Sequence, residues 1–434
     1  MRQYGMEDIR NVALLAHNGA GKTSLGEAML FTAKAISRLG RVDDGSSTSD
    51  YDPAEVKRGM SISLSLLPYE WKNAKVNLID TPGYADFRGE VKAGIRVSEG
   101  AVIVVCAASG VEVGTEQMWE YSEQGNLARL IFLNKMDREN ADFYRTVEQI
   151  QSKFGRHCVP VQLPIGAQKD FQGVIDLLSM KSLLGPEAKE GEVPAELVSQ
   201  AESFREKLVE AVAEVDDHLI EKYLGGEELS TEELTTGLRQ GTVSGKIVPI
   251  LVGSALQNVG ISLLMDAISH YLPSPKEGKV LVSRDGEPEA MEPGEGAPLA
   301  ALVFKTSADP YVGKLTYFRV YHGVIESNSQ VWNVTQGEME RIGQLFILRC
   351  KNQEPVSQVR ARDIGAVAKL NLTATGDTLG SRDKPIKIVP ISFPPPIFSL
   401  AVYPKTKADL DKLGTALSRL TEEDPTLRVH RARR

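Results

Sequence analysis

Apolar and polar positions alternate along this chain in three successive regimes. In the first, short apolar runs are separated by helix-period stretches. RNVALLAH (10–17), KVNLID (75–80), AVIVVCAA (101–108), RLIFLNK (129–135) and KIVPILVGSA (246–255) are β-branched or Leu-rich and bounded by Gly, Asn or Asp. Strands buried on both faces of a parallel sheet read this way. KTSLGEAMLFTAKAI (22–36) and TEQMWEYSEQG (115–125) lie between them as helices. The alternation predicts an α/β fold, a doubly wound parallel sheet.

The spacing breaks after about Gly155. SQAESFREKLVEAVAEVDDHLIEKYL (199–224) carries an apolar stripe at Phe204, Leu208, Val212, Val215 and Leu219, three or four residues apart. This predicts a mostly helical insertion over about 158–245. HYLPSPKEG (270–278) closes the first domain, and GEPEAMEPGEGAP (286–298) reads as a linker or loop. From about Leu299 to Gly380, short alternating runs such as LAALVFKT, KLTYFRVYHGVI and SQVWNVT predict a small all-β barrel. SFPPPIF (392–398) is a second proline hinge. Beyond it, FSLAVYP predicts a strand, a helix starts near Thr406, and TLRVHRARR allows another strand: part of a small α+β, ferredoxin-like domain. The expected divisions are 1–278, 279–390 and 391–434.

A length of 434 residues agrees with several domains, and 42% apolar with 25% charged residues is ordinary for a globular chain. No apolar run is long enough to span a membrane, and the first residues lack a signal-peptide pattern. Cys106, Cys158 and Cys350 form no CxxC pair, which leaves no disulfide or zinc framework and makes the cytoplasm the expected compartment. The net charge of −8 argues against broad non-specific nucleic-acid binding, and no sequence-specific nucleic-acid partner is expected. It is unevenly placed. Residues 187–233 hold fifteen acidic and four basic residues, a net of −11, so the remainder carries +3. A solvated helical surface and a docking face for a basic partner both fit.

Four short motifs bring chemistry to the α/β domain. AHNGAGKTS (16–24) follows a strand and opens a helix, as a phosphate loop does. Backbone N–H groups across Asn18, Gly19, Ala20, Gly21, Lys22, Thr23 and Ser24 suit phosphate oxygens, Lys22 suits the β and γ phosphates, and the Thr23 hydroxyl suits Mg²⁺. Asp80, ending a strand, can hold Mg²⁺ through water, and the Gly83 N–H can sense a γ-phosphate. NKMD follows the RLIFL strand. There Asp137 can accept from the guanine N1–H and amine, Asn134 can brace the phosphate loop, and the Lys135 stem can cover the base. GSAL supplies Ser254, Ala255 and Leu256, with the Ala255 N–H facing guanine O6. An Asp left unpaired penalises adenine, so GTP and GDP are the expected nucleotides and an ATP-dependent kinase is disfavoured. KRGMSIS (57–63) lies where a mobile switch belongs, and Ser61 offers a further hydroxyl to Mg²⁺. The alternative is a plain loop serine.

Taken together, these motifs resemble the translational GTPases, elongation factor G most of all and its elongation-factor-G-like paralogues in particular. LPSP, YVGKLTYFRVYHG and PKTKADLDKLGTALSRLTEEDP (404–425) extend the likeness almost end to end. The resemblance implies hydrolysis of GTP to GDP and phosphate, translation on the ribosome as the setting, and a monomer meeting the large-subunit stalk and factor-binding region. It equally allows a ribosome-protection or release-factor type of GTPase. Only the beginning of the family's third domain is expected here, so translocation is not. This chain departs from the family at three places. Tyr84 stands where His follows DTPG, Asn18 and Gly19 replace Ile and Asp in the phosphate loop, and Met60-Ser61 replaces Ile-Thr in the switch. The lost Asp removes a ligand for a monovalent ion, and Asn18 and Met60 alter the apolar residues that flank the family's His. Tyr84 can hold a water through one hydrogen bond but cannot become cationic, which implies slow or altered turnover. Alternatively it packs away, and the chain acts by GTP occupancy with very slow hydrolysis.

Overall fold

The computed structural model describes residues 2, 4–284, 287–291, 297–309, 313–406 and 408–430. They divide into two compact units. One comprises Met1–Phe87 and Ser98–Ser274, the other Arg88–Val97 and Pro275–Arg434.

The first unit is built on a seven-stranded sheet. Its strands are β1 (Ile9–Ala16), β2 (Ser65–Trp71), β3 (Ala74–Asp80), β4 (Gly100–Cys106), β5 (Ala128–Asn134), β6 (Cys158–Pro160) and β11 (Val248–Val252), in the order β2-β3-β1-β4-β5-β11-β6. β2 alone runs antiparallel, as the hairpin partner of β3. β1, β3, β4 and β11 are buried along their whole length, so β4 and β11 read as unbroken apolar runs, while β1 and β3 also bury Arg10, Asn11, Lys75, Asn77 and Asp80. The helices are α1 (Lys22–Thr32), α2 (Pro53–Arg58), α4 (Val113–Gln124), α5 (Phe143–Phe154) and α9 (Ile261–Tyr271), with α3 (Arg88–Arg96) assigned to the second unit. Parallel register sets Leu14 beside Asp80, Ala16 beside Val104 and Cys106 beside Asn134. The carboxyl ends of β1, β3 and β5 therefore share one edge, and the loops that follow them assemble there.

Two edge strands escape the hydrophobic pattern. β2 contains Pro68, and β6 has only three residues. The insertion also differs from a mostly helical reading. It opens with an antiparallel sheet of β7 (Gln162–Ile165), β8 (Gly173–Asp176), β9 (Lys181–Leu184) and β10 (Lys189–Gly191) before α6 (Val198–Ala213), α7 (Asp217–Leu224) and α8 (Thr231–Val243). The stripe over 199–224 is split because Asp216 accepts a hydrogen bond from His218 N and starts a new helix. Leu208, Val212 and Leu219 are buried, each contributing about 1.5–3 kcal/mol of apolar burial. Phe204 and Val215 are only partly covered. Gly237 lets α8 close on this face, since a Cβ there would lie 2.6 Å from Val212 Cγ1.

The second unit is antiparallel. An eight-stranded sheet includes Ala300–Asp309, Gly313–His322, Ile364–Ala368 and Thr378–Gly380. Val303, Phe318, Val331, Leu345, Val367 and Leu379 come from strands spread across it and meet in one buried cluster, so the sheet wraps around its own core. The segment read as a linker is in part a strand. Glu287–Met291 pairs with Val280–Arg284, and residues 285–286 and 292–296 lie outside the description. Tyr311 and Val312 of the YVGK run, and residues 431–434 of the last expected strand, lie outside it too. α3 packs within this unit. Lys305 Nζ donates to Glu90 Oε2 at 3.1 Å, and Arg96 donates to Tyr321 Oη at 3.1 Å and to Val389 O at 3.0 Å. FSLAVYP forms no strand. No described strand lies beside it to complete its backbone hydrogen bonds, and Phe398, Leu400 and Tyr403 are exposed. The final helix, α10 (Asp409–Glu423), has no buried residue.

Candidate nucleotide site

At the edge where β1, β3 and β5 end, three loops converge. The first runs from Ala16 to Gly21 and delivers Lys22 and Thr23 to the opening turn of α1. Gly21 has φ +89°, and a Cβ there would meet Asn134 Nδ2 at 2.5 Å, so conformation and space both require glycine. Gly19 is likewise left-handed at φ +79°, with nothing near its missing Cβ. Ala20 is buried, while Asn18 and Ser24 are partly exposed.

Asp80, at the end of β3, ties this loop to the next. Its carboxylate pairs with the Lys22 ammonium and accepts from Thr23 Oγ1 at 3.0 Å. All three side chains are buried. Ser61 joins from the far loop, with its Oγ 3.1 Å from Thr23 Oγ1 and donating to Asp50 Oδ1 at 2.7 Å. Asp50 was not singled out by any motif. It is buried, and burial together with the neighbouring Asp80 charge holds its carboxyl above the usual range, against the pull of Ser61 and Lys22. Its Oδ2 is buried with no hydrogen-bond partner among the described residues. Two carboxylates and two hydroxyls around one ammonium make an all-oxygen set with surplus negative charge, which fits Mg²⁺.

The loop that carries Ser61 is held by the buried Glu55 and by the exposed cap Asp52. Glu55 accepts from Ile62 N at 2.9 Å and Ser63 N at 3.2 Å, while Asp52 caps α2 by accepting from Ala54 N. Beyond Asp80, Thr81 Oγ1 donates to Leu14 O at 2.7 Å. A Cβ on Gly83 would lie 3.0 Å from Asn18 Cα, so this turn and the phosphate loop touch backbone to backbone. Tyr84 is half-buried, and its hydroxyl makes no hydrogen bond among the described residues, to Asn18 or any other.

The third loop follows β5. Asn134 Nδ2 donates to Ala20 O at 3.1 Å and Gly21 O at 3.3 Å, and its Oδ1 accepts from Ala255 N at 3.0 Å. One side chain thus joins the phosphate loop to the GSAL turn. Lys135 holds a left-handed backbone at φ +65° and donates to Gly19 O at 2.8 Å, so its stem crosses above the loop. Asp137 accepts from the Ser254 hydroxyl, and Ser254 Oγ accepts from Gln257 N at 3.1 Å. Ala255 is buried, whereas Leu256 is exposed and stands apart from these contacts. The Asp137 carboxylate keeps acceptor capacity beside its bond from Ser254, and the Ala255 N–H in the adjoining turn can trade Asn134 Oδ1 for a base oxygen, so the two loops suit the donor and acceptor edge of a purine.

Three stretches of the chain match known family models. Residues 7–274 match the elongation factor Tu GTP binding domain, 298–382 match elongation factor G domain 2, and 393–433 match elongation factor G domain III. The chain belongs to the translational GTPase family, as an elongation-factor-G-like member. Elongation factor G of Thermotoga maritima is 44% identical over 99% of this chain, as is that of Thermotoga petrophila. The chain spans 63% of the length of each. A crystal structure of a Thermus thermophilus protein superposes with a TM-score of 0.87 at 32% identity, covering 98% of this chain and 62% of that one.

Proposed function

We propose that the chain binds GTP with Mg²⁺, hydrolyses it slowly, and acts in translation on the ribosome. The observation that carries the nucleotide reading is Asn134, which couples the phosphate loop to the turn beside Asp137. Lys22 exchanges its partner Asp80 for the β and γ phosphates. Asp137 accepts from the guanine N1–H and amine, and the Ala255 N–H turns from Asn134 Oδ1 to O6 as the base binds. Thr23, Ser61 and Asp80 would hold Mg²⁺, which when bound neutralises charge on the phosphate oxygens. The Gly83 N–H meets the γ-phosphate, and in-line water attacks there. Tyr84 orients that water with a neutral hydroxyl, so it supplies position but no positive charge.

Single-turnover hydrolysis at saturating protein tests this. Tyr84→Phe is expected to slow turnover about tenfold or more and Tyr84→His to raise it, both with unchanged GTP affinity. An unchanged Tyr84→Phe rate would remove the hydroxyl from the mechanism. The unbonded Tyr84 hydroxyl also supports a second reading, a switch read out by GTP occupancy. That reading requires the natural chain to bind GTP without measurable turnover.

Kinship with elongation factor G supports the ribosomal setting and the cytoplasm, and a monomeric state belongs to the same proposal. Among the described residues no helix is long and apolar enough to cross a membrane. The acidic surface of the insertion is the candidate contact for basic ribosomal proteins at the large-subunit stalk. Pull-down with salt-washed ribosomes, with GTP analogue against GDP, checks the setting.

A further inference from the structure

One turn beyond Thr23, the same helix α1 carries Glu27, a fully buried carboxylate that no motif includes. It accepts from Thr48 N at 2.6 Å, from Thr48 Oγ1 at 3.1 Å and from Ser47 Oγ at 3.4 Å. The backbone N–H groups of Ser49 and Gly40 reach it as well. A Cβ on Gly40 would lie 2.6 Å from Glu27 Oε2, so only glycine lets the chain come this close. Three donors from Ser47 and Thr48 thus converge on one helix-borne acceptor, with the backbone of Gly40 and Ser49 beside it. The connection continues to the site. Asp50 N donates to Ser47 Oγ at 3.4 Å, Asp50 Oδ1 accepts from Ser61 Oγ, and Ser61 stands 3.1 Å from Thr23.

We infer that Glu27 is a positioning residue: a latch by which the helix opening at the phosphate loop holds residues 40–50 and thereby sets Ser61 opposite Thr23. Burial holds the Glu27 carboxyl above its usual range while the hydrogen bonds from Thr48 pull it back, and buried donors left without an acceptor are costly. The latch is built into the first turns of the helix that carries Lys22 and Thr23, so loop closure and phosphate contact share one rigid element. The inference rests on reading 57–63 as the switch of the proposed GTPase.

Glu27→Gln tests it, because the amide keeps the shape but turns one acceptor into a donor facing donors. Tryptic cleavage at the exposed Arg38, Arg41 and Arg58 reads the loop without any nucleotide. It is expected to accelerate about tenfold or more. With Mg²⁺, affinity for a fluorescent non-hydrolysable GTP analogue is expected to fall about tenfold while GDP affinity and Tm hold. Gly40→Ala, whose Cβ would meet Ser46 O at 2.5 Å and Glu27 Oε2 at 2.6 Å, displaces the loop from the latch while leaving the α1 sequence unchanged; it is expected to reproduce both effects and decides the case if Glu27→Gln does not fold. Unchanged cleavage overturns the latch. Equal loss of both nucleotides with a lowered Tm also overturns it, in favour of a plain structural role. If the natural chain binds neither nucleotide, the proposed function fails instead, and the nucleotide-free cleavage comparison still judges the latch.

Discussion

Gly21 shows how little room the phosphate loop leaves. Its φ of +89° already disfavours any side chain, and a Cβ would press on the Asn134 amide at 2.5 Å. Gly21→Ala is therefore expected to cost about 1–3 kcal/mol of stability and to weaken nucleotide binding, read by thermal melting and by titration with a fluorescent GTP analogue. Asp137→Asn keeps the shape but replaces an ionic acceptor. GTP affinity is expected to fall about a hundredfold, with ATP affinity nearly unchanged, in a competition assay. At this scale the sequence is informative where function depends on local geometry. Gly, Lys and Thr at fixed spacing after a strand identify a phosphate loop because backbone N–H groups do the binding. Asp50, Glu27 and Glu55 carry no such mark. Each is an acidic residue in a loop or helix, and only tertiary folding turns its carboxylate onto Ser61 or onto backbone donors.

Elements end where side chains compete with the backbone, and helix α8 is a clear case. Ser230 accepts from Glu233 N, Glu233 accepts from Ser230 N at 2.7 Å, and the two form a capping box. Ser230→Ala is expected to destabilise the insertion by about 1 kcal/mol in denaturant melts. Lys222 Nζ adds hydrogen bonds to both Glu233 oxygens at 2.8 and 2.9 Å, and together these contacts hold the Glu233 carboxyl down to about 2. Because the folded value lies below the unfolded one, this contribution is complete above the ordinary glutamate range and is lost as pH falls toward 2. The Tm difference between the natural chain and Glu233→Gln is expected to narrow over that interval. Burial pushes the Cys158 thiol on β6 up to about 12, so thiolate-selective reagents at pH 8 are expected to leave it unmodified in the folded protein. The parallel strands could be read because burial on both faces leaves them mostly apolar, with polar residues such as Asn11 and Asn77 as exceptions. β2, β6 and the sheet β7–β10 could not, since short or edge strands alternate weakly and the acidic helices dominate the composition around them.

At the scale of the molecule, apolar surface is distributed unevenly. Ile397, Phe398, Leu400 and Tyr403 are 76–90% exposed along one extended stretch, more than scattered surface residues account for. Replacing Phe398 and Leu400 with Ser is expected to lower dye binding to exposed apolar surface and light scattering at high concentration, without changing nucleotide affinity. The order of fold types along the chain, α/β sheet followed by barrel, was legible because the hydrophobic period changes near Leu299. The partition of helix α3 was not, since its amphipathic pattern does not say which core receives it. Its ion pair with Lys305 and its bonds to Tyr321 and Val389 lie in the second unit, while the residues on either side of it belong to the first. The two units are consequently interleaved in the gene. A cut at residue 278 would carry away a helix and leave its partners behind, so recombination that exchanged the barrel as one uninterrupted stretch of coding sequence would have to bring along, or re-match, ten residues encoded far upstream.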